Sequence, residues 1–190
     1  MQDPTDPLSA TARHLLKLDP NAYAALVPTE HGSIEAKDLL ESVKPAQLLG
    51  SGVVKHSDEG YAMLAGLWLW HDWLDESHTI SQGLHGASGS FWHAIMHRRE
   101  GDFANAKYWY ARCADHPVLP SLNAKSSAIL NPLPADKSLL RLTANGWNPI
   151  AFVDLVEQVY EQPNDPLHRI AVALQRLEWR TLFDHCARTA

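Results

Sequence analysis

Apolar side chains recur at three- and four-residue intervals along much of this chain, so α-helices are the elements to expect. The strongest run is 59–82, where Met63, Leu64, Leu67, Trp70 and Leu74 fall on one helical stripe. A shorter helix is expected over 9–18, closed by Asp19-Pro20. Another is expected over 34–49, with Pro45 placed to begin a new turn rather than continue the old one. Small residues then take over from Gly83 to Ser90, which reads as a loop whose last residue caps a helix starting at Phe91. Gly101-Asp102 interrupts the pattern, and Ala106, Trp109, Tyr110 and Cys113 resume it over 103–113. The two segments predict an αα-hairpin.

Between Asp115 and Asn148 the prolines at 117, 120, 132 and 134 suggest a long irregular connection, with Leu139–Leu142 as a short turn or strand. Connections of that length often cover a site. Asn148-Pro149 has the form of a capping side chain followed by a proline in the first helical position, and Ile150, Val153, Leu155, Val156 and Tyr160 supply the apolar face of the helix it starts. A last helix is expected from Pro166 to about Arg188. With no βαβ alternation and no hairpin strands, the expectation is an all-α, single-domain helical bundle-like array over residues 1–190, with the αα-hairpin at its centre.

Composition narrows the function classes. At 190 residues and 45% hydrophobic content the chain is large enough to enclose a core. A formal charge of −6 argues against a nucleic-acid or anionic-membrane partner, since both demand a basic face. The first twenty residues have no secretory pattern, and no apolar run approaches the roughly 20 residues of a membrane span. Cys113 and Cys186 have neither metal-ligand spacing nor the numbers of a disulfide framework. A cytoplasmic protein is the simplest reading.

Candidate chemistry is concentrated between His71 and Pro117, which holds six of the eleven histidines. On a helix turning about 100° per residue, His93, His97 and Glu100 lie within about 60° of one another, and His71, Asp75 and His78 share a face by the same arithmetic. Imidazoles and a carboxylate on one face can hold a divalent metal with open coordination positions. The candidate metal ligands are therefore His71, His78, His93, His97 and Glu100. Without a metal, His93 and His97 are candidate proton-transfer groups, with Glu76, Asp75 or Glu100 orienting an imidazole. Equally, the histidines could do no more than hydrogen-bond carboxylates and backbone groups where helices meet.

Other signatures are incomplete or missing. His93 to His97 lacks the glutamate of a zincin motif, and the two glutamates that a ferritin-like site draws from other helices are not identifiable. No strained Gly-x-Ser-x-Gly turn marks a nucleophile. The glycine-rich loop, carrying His85, runs into a helix N-terminus that could attract an anion with help from Arg98, Arg99 and Lys107. It has no P-loop ending, and an ordinary interhelix loop is the alternative. Trp92 is one of several tryptophans that could line a ligand pocket or simply fill the core.

Residues Ser90–Pro117 resemble a single tetratricopeptide repeat through Ala94, Gly101, Asp102, Phe103, Ala106, Tyr110 and the final proline. The wider block Ile80–Trp109, followed by His116-Pro117, also resembles an uncharacterised family of microbial and fungal proteins of unknown function. That likeness implies a shared domain but no activity. The leading expectation is a histidine- and carboxylate-rich pocket between the 59–82 helix and the hairpin, used for small-molecule binding or metal-assisted catalysis. The alternative is a helical interaction module that presents a groove to a peptide or to another copy of the chain.

Overall fold

Six short polar side chains set helix starts by accepting the N–H groups that the first turn leaves free. Ser9, Ser33, Asp102, Asp136, Asn148 and Asp165 cap α1 (Ala10–Leu15), α2 (Ile34–Ser42), α6 (Phe103–Ala111), α8 (Lys137–Thr143), α9 (Pro149–Val159) and α10 (Pro166–Thr189). The remaining helices are α3 (Ser57–Trp70), α4 (Leu74–Ser81), α5 (Ala87–Arg99) and α7 (Val118–Leu130), with a 3₁₀ turn at Pro45–Leu48. These elements come from a computed structural model that describes residues 6–133 and 136–190. Among the described residues the fold is all-α, and β pairing is limited to two isolated bridges.

The core is one continuous apolar cluster with α3 and α5 at its centre. Every residue of α5 from Ser88 to Arg99 is buried. Helix α5 lies against α3, α4 and α6, while α10 runs past α3, α7 and α9. Gly66 sets how closely α3 and α5 approach, because a Cβ there would stand 2.7 Å from Trp92 Cζ2. Trp179 of α10 reaches the same point and donates its indole N–H to Gly66 O at 2.8 Å.

Several expected boundaries move. The 59–82 helix is two helices, because the chain breaks at His71-Asp72-Trp73 and Asp72 takes a left-handed conformation with φ of 60°. The apolar stripe had run through this break, since Leu74 still meets the core. Helix α5 starts at Ala87, with Gly86 as its cap, so Ser90 is inside the helix and does not cap it. Among the described residues of 115–148, most belong to two helices, α7 and α8. Pro117 is the N-cap of α7 and Pro120 lies in its first turn, where a missing N–H breaks no helical hydrogen bond. Leu139–Leu142 belong to α8 instead of a strand. Pro134 lies outside the described residues. At Pro45 the predicted new turn does begin, as the 3₁₀ segment.

Candidate functional site

Helix α4 brings His78 against one face of α5, where His93 and His97 stand one turn apart. The His78 and His93 rings are 4.7 Å apart between centroids, His78 and His97 are 5.4 Å apart, and His93 and His97 are 4.6 Å apart. One nitrogen from each ring lies within 4.8 Å of the others. Helix α6 closes the remaining side, with Trp109 stacked on His93 at 4.0 Å. The two faces picked out by helical geometry therefore do meet, though with different membership.

The three imidazoles differ in their surroundings. His97 directs Nδ1–H at Glu100 Oε1, 2.5 Å away, which leaves the Nε2 lone pair facing the Asn105 amide at 3.1 Å. His78 is half-buried. His93 is 3% exposed, yet neither of its ring nitrogens has a hydrogen-bond partner among the described residues. Burial, with the neighbouring His97 and His78 adding to it, pushes the His93 pKa down to about 4. Near neutral pH this ring is uncharged and retains a lone pair.

The other predicted ligands, and the predicted orienting carboxylate Glu76, have different work. His71 caps α3 and bonds Leu15 O through Nε2 at 3.0 Å, so the helix break separates it from His78. Burial lowers its pKa as well. Glu76 pairs with Lys37 at 2.9 Å, tying α4 to α2, and is not hydrogen-bonded to an imidazole. Glu100 supports His97 from outside. It also lines a surface cleft of about 200 Å³ with Glu30, Asp72 and Asp75, which none of the three imidazoles lines.

The expected anion-positioning groups are not assembled. Arg98 and Arg99 are fully buried. Arg98 donates to Glu178 Oε2 at 2.6 Å and to the Tyr110 hydroxyl at 2.7 Å, and that hydroxyl donates to Glu178 Oε1. Arg99 donates to the carbonyls of Leu69 and Ala25, pairs with Asp72 at 2.7 Å and lies over the Tyr23 ring. Lys107 bridges Asp154 and Glu157 on α9. His85 is exposed on the loop before α5, and Trp92 is in the core instead of lining a pocket.

Sequence reasoning missed Asn105, and it counted Trp109 among the possible pocket tryptophans without pairing it with His93. The signal was present, since residues 97 and 105 are equidistant from Gly101, as are 93 and 109, and an antiparallel hairpin brings such pairs together. It also missed a second polar network. Val118 N–H donates to His116 Nδ1 at 3.2 Å, so in the neutral ring the proton is on Nε2 and is donated to Ser88 Oγ at 3.1 Å. Ser88 in turn donates to Glu59 at 2.9 Å. This proton order gives Ser88 no histidine base. Burial and the neighbouring His185 push His116 down to about 4, which keeps that tautomer neutral. The thiols are equally quiet, because burial raises Cys113 to about 12 and Cys186 well above the ordinary range.

Among the described residues no helix is long and apolar enough to cross a membrane. Set against known protein families, curated proteins and solved structures, the chain matches none of them.

Proposed function

We propose that the chain binds a divalent transition metal through His78, His93 and His97, and uses the open coordination position for small-molecule binding or activation. The observation that carries this reading is His93. A ring that is nearly wholly buried, neutral and without a partner for either nitrogen is costly, and a metal bond would satisfy one of those nitrogens. Three neutral nitrogen ligands suit zinc, cobalt or nickel and leave a position for water or substrate. Glu100 then acts as the outer carboxylate that fixes the His97 tautomer, a recurring arrangement around metal-bound histidine. The Asn105 amide is the group that a metal would displace from His97 Nε2.

A metal bound in this way can polarise a substrate oxygen or lower the pKa of a bound water. Glu100 is exposed and bonded to His97, and His78 is half-buried, so the site's edge at these residues lies next to solvent. The test is titration of the untagged, chelator-stripped protein with Co²⁺, read by visible absorption. A saturable 1:1 tetrahedral spectrum is expected, and it is lost in His93→Ala and in the half-buried His78→Ala. Failure of the wild type to bind Co²⁺ or Zn²⁺, or binding unchanged in both variants, overturns the reading.

A further inference from the structure

A second cavity lies between α1, the end of α3 and α10, and it shares no lining residue with the imidazole cluster. Its volume is about 480 Å³, within the range of small-molecule sites. Leu16 and Trp70 make the open part of its apolar wall, with the buried Leu8 and Trp179 behind them. The two indoles pack at 4.5 Å, and the bond from Trp179 to Gly66 O holds that wall in place. Trp70 Nε1 is buried and has no hydrogen-bond partner among the described residues, leaving a donor unused in a residue that lines the cavity.

The rim has the opposite sign to the chain. Arg13, Lys17, Arg176 and Arg180 line the cavity against the single carboxylate of Asp6, although the whole chain carries a formal −6. Asp6 is used by Arg13 at 2.7 Å, and Asp184 pairs with Arg180 at 3.0 Å. Arg176 donates to the backbone carbonyls of Ala22 and Tyr23, which neutralise none of its charge. Lys17 is exposed and has no ion-pair partner among the described residues. Two cations are thus uncompensated beside a fixed apolar wall. A bounded cleft of this size also excludes a polyanion, which would need an extended basic face.

We infer that this cleft binds an amphipathic monoanion, with an aromatic or aliphatic body against Leu16 and Trp70, which the buried Trp179 backs, and a carboxylate at the cationic rim of Lys17, Arg176 and Arg180. The hydrophobic body supplies the contact area and the cationic rim selects the charge. The inference does not depend on the metal centre, so binding should persist in chelator.

Calorimetry on the full chain in EDTA, with naphthalene-2-carboxylate as the probe, tests it. The carboxylate should bind 1:1, about tenfold more tightly than 2-naphthalenemethanol, while 2-naphthylmethylamine should bind more weakly still. Lys17→Glu with Arg180→Gln should weaken the carboxylate by about tenfold and leave the neutral alcohol unchanged. Both side chains are largely exposed, and circular dichroism checks that the double variant is folded. No saturable binding by the wild type overturns the inference. Equal affinity for the carboxylate and the alcohol, or an unchanged carboxylate affinity in the double variant, overturns it too.

Discussion

At His93 a stability cost and the proposed function share one residue. Replacing a buried, unpartnered imidazole with an apolar side chain of similar size removes the desolvation cost of two ring nitrogens, so His93→Leu should stabilise the metal-free protein by about 1 kcal/mol. The same change should abolish Co²⁺ binding. Urea denaturation in EDTA reads the first effect, and a variant less stable than wild type would contradict it. Glu100→Gln should keep all three imidazoles but lower metal affinity by roughly 10–100-fold, because Glu100 orients His97 without ligating. Glu76→Gln is the matched control. Its carboxylate is held by Lys37, and competition with a chromophoric chelator should show no change in metal affinity.

Between elements, the decisive contacts are made by polar groups at places where apolar periodicity is silent. Asp72 interrupts the α3–α4 stripe in a left-handed conformation and pairs with Arg99, while Arg98 crosses from α5 to Glu178 on α10. With both partners fully buried, Glu178→Gln leaves the Arg98 charge without its counter-ion and should cost about 3–5 kcal/mol. Replacing the set together, with Arg98→Met, Tyr110→Phe and Glu178→Leu, should recover most of that loss, since an apolar set has no charge to compensate. Gly66→Ala tests the α3–α5 contact. Its new methyl group would have to displace the Trp92 ring, at a cost of about 1–3 kcal/mol by thermal or urea unfolding.

For the whole molecule, the buried histidines determine how stability responds to acid. His93 and His116 are held neutral down to about pH 4, whereas in the unfolded chain they take up protons near pH 6.5. Between those values the unfolded state binds more protons, so stability present above pH 6.5 is lost progressively as the pH falls toward 4. Burial shifts His71 in the same direction. The expected loss is on the order of 2 kcal/mol for each of His93 and His116, read as a lower urea midpoint at pH 4.5 than at pH 7 in EDTA. His116→Gln should flatten part of that slope. An identical slope in the variant would remove His116 from the account.

Local rules in the sequence determined the helix starts at Ser9, Asp102, Asn148 and Asp165, the new turn at Pro45 and the all-α class, because capping and apolar periodicity act over a few residues. The i, i+3 and i, i+4 spacing also placed His93, His97 and Glu100 on one face. Only the tertiary structure decided that the 59–82 stripe is two helices, since the Asp72 turn depends on what packs around His71 and Arg99. It likewise showed that Pro117 and Pro120 sit at the start of a helix, where they cost nothing. The site followed the same division. One-dimensional spacing could group residues on α5, but His78, Asn105 and Trp109 joined them because α4 and α6 pack there, and His71 left because its ring found Leu15. Arg98 and Arg99 carry the plainest lesson: a charge written in a sequence looks solvated until the fold supplies a buried partner.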